Sequence, residues 1–146
     1  MTISTTITIN KPIKEVWDFY DNPDNLKLWL TNFKSFELIS GNPGEAGTKA
    51  KHIYEEKGRT IVMYETITEK IPYQKLSGVL SMPKMMETTI ENVFKETGND
   101  TTEMNCTTDT KFIMFSLKFF GFLMKKAFQK RLDDDLNRLK KVIEQA

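Results

Sequence analysis

One histidine, one cysteine and a scatter of carboxylates are the side chains of this 146-residue chain from which chemistry could be built. His52 stands in the run Ala50-Lys51-His52-Ile53-Tyr54. Side chains of a strand alternate between its two faces, so Ala50, His52 and Tyr54 share a side opposite to Lys49 and Lys51. With the lysines in water, the imidazole points inward beside a tyrosine. There it can serve as a general base or hydrogen-bond donor in a cyclisation or hydrolysis, or it can be a satisfied structural residue. Glu65 repeats the pattern: it shares a face with Met63 and Ile67, which puts a carboxylate among apolar neighbours. It is either an acid or a partly solvated rim residue with an ion-pair partner. These two are the catalytic candidates. Cys106 has no basic residue near it in sequence to lower its thiol pKa and reads as a small core residue.

Other chemistry lacks its residues. A single His and a single Cys give no zinc spacing, and the carboxylates give no calcium loop, so neither a metal nor a cofactor is expected. No Gly-x-Ser-x-Gly elbow is present. Gly41, Gly44 and Gly47 precede a strand pattern rather than a helix; without a helix start to receive an anion they form a hairpin loop. Asp133, Asp134 and Asp135 are consecutive on a helix and point in different directions. Pairs of Asp134 with Arg138 and of Arg131 with Asp135 at i, i+4 make them a solvated face.

The elements that must hold these groups follow from period. Ile3, Ile7 and Ile9 alternate with Thr2, Thr6 and Thr8, a half-buried first strand. Pro12 suits the first turn of a helix, and Ile13, Val16, Trp17 and Tyr20 follow at helical spacing until Pro23. Leu26, Trp29, Leu30 and Phe33 repeat that spacing behind an Asn22 or Asp24 cap. From Phe36 to Phe112 the period becomes two. Turn residues at Gly41 to Gly47, Lys57-Gly58, Ile71-Pro72, Met82-Pro83-Lys84 and Gly98-Asn99-Asp100 divide it into six strands, joined too closely for parallel crossovers. The sixth presents Met86, Thr88, Ile90, Asn92 and Phe94 on one face; the seventh presents Met104, Cys106 and Thr108. From Lys118 to Ala146 one long helix is predicted, with Leu132, Leu136, Leu139 and Ile143 on one face. Its first turns, with Phe119, Phe120, Phe122, Leu123, Met124 and Phe128, carry apolar surface around much of the circumference.

Composition bounds the answer. A chain of this length fits one domain, residues 1–146, and buries roughly 70% of its unfolded surface. With 28% charged and 39% hydrophobic residues it is an ordinary globular chain. A formal net charge of +1 provides no basic excess for phosphates, so no nucleic acid partner is expected. One cysteine suits a reducing, cytoplasmic setting. The first ten residues lack a basic and an apolar region, so no signal peptide is expected, and no apolar run reaches the roughly 20 residues of a membrane span. Nothing in the sequence specifies an oligomeric state.

A closing helix of about 28 residues is roughly 40 Å long, while seven strands at about 4.8 Å span roughly 30 Å. The closing helix can cross the concave face of such a sheet but cannot seal it. A space should remain beneath it.

The order of these elements and several residues resemble the START-like or SRPBCC superfamily, which includes the birch-pollen allergen fold and the polyketide cyclase/dehydrase and lipid-transport group. The resemblance is carried by Pro12 with Glu15-Val16-Trp17, Asp21-Asn22-Pro23 with Trp29, Gly47, Glu65-Thr66-Ile67 before Pro72, and Leu136-Asn137-Arg138-Leu139-Lys140, over nearly the whole length. It implies an α+β helix-grip fold: a seven-stranded antiparallel sheet curved around a long C-terminal helix, two short helices between strands 1 and 2, and a ligand cavity between sheet and helix. The function expected is a non-enzymatic carrier or binder of a hydrophobic small molecule, a lipid or polyketide-like metabolite. Trp17, Tyr20, Trp29, Tyr54, Met86, Ile90, Met104, Phe120, Met124 and Phe128 would shape its site, with His52, Glu65 and Asn92 orienting polar groups. The alternative is an aromatase/cyclase or hydrolase in which His52 or Glu65 moves protons. Phe119, Phe120 and Phe122 beside Lys125, Lys126, Lys130 and Arg131 could also meet an anionic lipid surface. A buried helix start with snorkelling lysines is the reading preferred to that contact.

Overall fold

Isoleucines and threonines alternate along β1 (Thr2–Ile9), and Ile3, Ile7 and Ile9 are the buried ones. In the computed structural model, which describes residues 1–146, this strand is followed by α1 (Ile13–Tyr20), entered through extended Pro12, whose Val16, Trp17 and Tyr20 are buried. The Asn22 side chain accepts from the Asp24 N–H and starts a 3-10 turn (Pro23–Asn25) that runs into α2 (Leu26–Trp29). Six strands come next: β2 (Phe33–Ser40), β3 (Lys49–Glu56), β4 (Arg59–Ile71), β5 (Lys75–Met82), β6 (Met86–Gly98) and β7 (Thr101–Phe112). The β2–β3 connection holds Gly41, Gly44 and Gly47 at φ of +87°, +79° and +89°, a left-handed path open to glycine.

All neighbours are antiparallel, in the order β1-β7-β6-β5-β4-β3-β2. β1 closes against β7, from Thr2 opposite Asp109 to Ile9 opposite Thr102. The sheet must bend. Thr5 of β1 donates to Asp133 at 2.5 Å, and two residues earlier Arg131 pairs with Glu56 at the end of β3. In a flat sheet those strands, five spacings apart in the order, would be roughly 24 Å from one another. Reaching one helical turn from both requires curvature. Register shifts in β2, β4 and β6 provide bulges that bend and twist a strand.

The C-terminal segment begins at Phe115, three residues before the predicted start, and is not one continuous helix. It comprises α3 (Phe115–Phe120), a 3-10 turn (Gly121–Met124) and α4 (Lys125–Gln145). The cause is tertiary. Gly121 is buried, and a Cβ there would meet the Phe112 ring at 2.5 Å. The chain tightens where that ring requires the space.

The core lies toward one end. Leu136, Leu139 and Ile143 of α4 join Ile7 and Ile9 of β1, Val16, Trp17 and Tyr20 of α1, and Phe94, Met104 and Cys106 of the sheet. Trp17 meets Phe94 edge to face at 5.2 Å. Truncating a leucine packed this fully costs about 2–5 kcal/mol. The first half of α4 stands over a different kind of interior.

Candidate functional site

Between the sheet and α4 is a cavity of about 500 Å³, the size of ligand pockets in general. Of its 39 lining residues 23 are hydrophobic, so a guest must be mostly apolar. The strands deliver this wall through alternation and register. On β6, Met86, Thr88, Ile90 and Asn92 face inward. Opposite them on β5 stand Met82, Leu80, Gly78 and Leu76. Leu117, Met124, Phe128, Arg131, Leu132, Asp135 and Leu136 close the space from the C-terminal segment.

Of the residues the sequence points to, Tyr20, Trp29, His52, Tyr54, Glu65, Met86, Ile90, Asn92, Met124 and Phe128 stand on this wall. Three do not. Trp17 and Met104 are buried in the solid core, 3% and 0% exposed. Alternation gives Met104 the correct face of β7, but it sits opposite Phe94 at the filled end, whereas Cys106, two residues along, reaches the cavity. Phe120 is 63% exposed and points to solvent. The inward series of β5 was readable in the Leu76-x-Gly78-x-Leu80-x-Met82 alternation, a signal the candidate set leaves out.

The polar groups are few and specific. His52 is 3% exposed and ringed by Phe33, Phe36 and Tyr54, with centroids at 5.6, 5.7 and 6.3 Å. Its Nδ1 is 3.4 Å from the Tyr54 hydroxyl. Its Nε2 is 3.5 Å from Glu65 Oε1, close enough for an ion pair but without hydrogen-bond geometry, so this nitrogen has no protein hydrogen-bond partner. Trp29, also on this wall, shares that condition at Nε1. Ser77 Oγ lacks a partner too, but Ser77 alternates with the inward Leu76 and Gly78 and stands with Thr89, Glu91 and Asp109 toward the other face of the sheet. Asn92, by contrast, donates to the Tyr20 hydroxyl at 2.6 Å, and the Thr88 and Thr110 hydroxyls meet at 2.9 Å. Burial raises the pKa of both Tyr20 and Tyr54, so each phenol is a neutral donor at ordinary pH.

A charged cluster marks the wall where α4 meets the turn after α2. Arg131 pairs with Glu56, donates to the Thr31 carbonyl at 3.0 Å and lies 5.8 Å from the Tyr54 ring centroid. Asp135 accepts from the Thr31 N–H at 3.0 Å and from its hydroxyl, and contacts Arg138 at 3.3 Å. The aspartate run is therefore not a uniformly solvated face. Asp134 pairs with Lys130 rather than Arg138, and Asp135 is buried. Burial pushes the Asp135 carboxyl upward, opposed by the Thr31 hydrogen bonds and by Arg131 and Arg138. No three His, Cys, Asp or Glu side chains come together as a metal set. No helix is long and apolar enough to cross a membrane.

The model of the family described as polyketide cyclase/dehydrase and lipid transport matches residues 1–144. Among curated proteins none matches the sequence. Solved structures are similar across the full fold. A conserved protein from Geobacillus kaustophilus has a TM-score of 0.80 at 14% identity, covering 99% of this chain and 96% of its own. The Zhui aromatase/cyclase from Streptomyces sp. R1128 has 0.79 at 11%, covering 99% and 93%. Ara h 8.0201 has 0.72 at 14%, covering 100% and 99%. At such identities the likeness establishes the helix-grip architecture, on which unrelated activities are built.

Proposed function

Because the chain belongs to the polyketide cyclase/dehydrase and lipid transport family, we propose that it binds or carries a hydrophobic small molecule, lipid or polyketide-like, in the space between the sheet and α4. The observation that carries this reading is the conjunction of a largely apolar 500 Å³ cavity with two lining residues whose buried nitrogens lack protein partners, Trp29 Nε1 and His52 Nε2. A buried polar atom without a partner costs about 1–3 kcal/mol. A molecule with an apolar frame and a few oxygens gains by meeting them. Trp29 Nε1 can only donate, so it selects an acceptor such as a carbonyl or ether oxygen. Titration with a panel of fatty acids and fused-ring phenols, followed by displacement of a fluorescent apolar probe, tests the proposal. Saturable one-to-one binding is expected; failure of every probe to bind overturns it.

A second reading, an aromatase/cyclase or hydrolase, draws support from the His52–Glu65 contact at 3.5 Å on the cavity wall. An imidazole backed by a carboxylate is suited to proton transfer. A cytoplasmic setting belongs to the same proposal, since the lone buried thiol of Cys106 needs no oxidising compartment.

A further inference from the structure

The start of the C-terminal segment is greasy on the outside. Phe115, Phe119, Phe120, Phe122 and Leu123 are 60–75% exposed, five large apolar side chains within nine residues. Phe115 and Phe119 pack on each other at 4.9 Å rather than on the core. Contiguous apolar surface of this kind on a folded protein marks an interaction site. The sequence from Thr110 to Leu132 also contains no acidic residue but six basic ones. Lys130 and Arg131 are engaged by Asp134 and Glu56, whereas Lys118, Lys125 and Lys126 stand exposed with no carboxylate partner. The expected burial of this helix start does not occur.

We propose that this aromatic and basic apex docks on an anionic lipid bilayer. Phenylalanines at the boundary of headgroups and acyl chains, flanked by lysines that reach phosphates, form the pattern of interfacial helices. Charge decides against a second copy of the chain as occupant. A two-fold contact places the same patch on both partners, which would bring Lys118, Lys125 and Lys126 against their own equivalents. The same segment turns Leu117, Met124 and Phe128 into the cavity, with Gly121 seated on Phe112 between them. Its outer side would lie on lipid while its inner side forms the cavity wall, so an apolar guest need not cross bulk water to enter. That exchange rests on the carrier reading; the docking itself does not.

Co-sedimentation of the full chain with phosphatidylcholine vesicles, with and without phosphatidylserine, tests this. Binding should require the anionic lipid and weaken with added salt. Each apex phenylalanine removed should cost about tenfold, so a Phe119→Ser/Phe122→Ser variant should lose roughly a hundredfold. Lys125→Glu/Lys126→Glu should lose more than about tenfold. Both variants alter exposed side chains and should keep native circular dichroism and cavity-probe binding. Indifference of the wild type to anionic vesicles, or binding unaltered in both variants, overturns the proposal. So does a concentration-dependent dimer in sedimentation velocity that Phe122→Ser abolishes, since the patch would then be an interface between copies. If vesicles bind but no cavity probe does, the carrier reading fails and the docking stands.

Discussion

His52 Nε2 lies 3.5 Å from Glu65 Oε1, the two side chains meeting diagonally across β3 and β4, where Glu65 is opposite Ala50 and His52 opposite Met63. Diagonal neighbours on one face of an antiparallel pair are within reach of long side chains. The pair therefore forms on the cavity side without any loop to position it. Substitution separates the two functional readings. If the protein is a carrier, His52→Ala and Glu65→Gln should either leave apolar-probe binding within a few fold or weaken it together with any activity. If it is an enzyme, each should abolish turnover, an effect on kcat, and preserve binding. Parallel measurement of probe affinity and turnover on both variants gives the answer.

The buried Asp135 carboxyl has a folded pKa raised above 3.8, first by burial. The folded protein thus keeps this proton to higher pH than the unfolded chain does. As pH rises through the window just above 3.8, the unfolded chain releases its proton first, and this group's contribution to stability falls. Asp135→Asn, which keeps an acceptor for Thr31, should remove that component. Urea unfolding of both proteins from the acid side of 3.8 to neutrality should show the wild type losing ground to the Asn variant. A wild type that gains on it contradicts the assignment. Asp135→Ala strands the Thr31 donors and should cost about 1–3 kcal/mol.

Gly121 meets Phe112 so closely that an added Cβ would lie 2.5 Å from the ring. The backbone φ is an ordinary helical −59°, so the requirement is space, not conformational freedom. Gly121→Ala should destabilise the fold by about 1–3 kcal/mol, the range for overpacking, read as a lowered urea midpoint with unchanged slope. Pairing it with Phe112→Leu, which removes the ring, should recover part of the loss.

Cys106 lies on the cavity wall, and burial pushes its thiol up to about 12 from 9.0. The thiolate, which is the reactive form, is then about a thousandfold scarcer than in an exposed cysteine at the same pH. Alkylation by iodoacetamide should stay slow until well above pH 9 and accelerate to the ordinary rate only in denaturant. Rapid alkylation of the native protein at neutral pH would contradict a buried, inert thiol.

Much of this was legible in the chain. Period-two alternation placed His52, Tyr54, Glu65, Ile90 and Asn92 on the inward face because a strand offers only two faces. It could not tell how far along a strand the core stops and the cavity begins, which is why Met104 and Cys106, alike in parity, have different surroundings. Helical spacing found the Leu132, Leu136, Leu139 and Ile143 face but not the break at Gly121, which depends on a ring from β7. The local i, i+4 rule mispaired the aspartates for a similar reason. The partner that buries Asp135 is Thr31, about a hundred residues away in sequence, and no helix-local pattern encodes it.

The central claim is that the interior holds an apolar guest, and Ile90 offers the most direct test. It projects from β6 into the cavity opposite Gly78 and packs at the edge of the core, so Ile90→Trp should narrow the space from its middle, with the urea midpoint showing whether the core around Trp17 and Leu139 is kept. Native mass spectrometry with one equivalent of a fatty acid or fused-ring phenol should show a one-to-one adduct for the wild type and a clearly smaller one for the variant, with native circular dichroism in both. Equal adducts in both, or none with any probe in the wild type, would contradict the account.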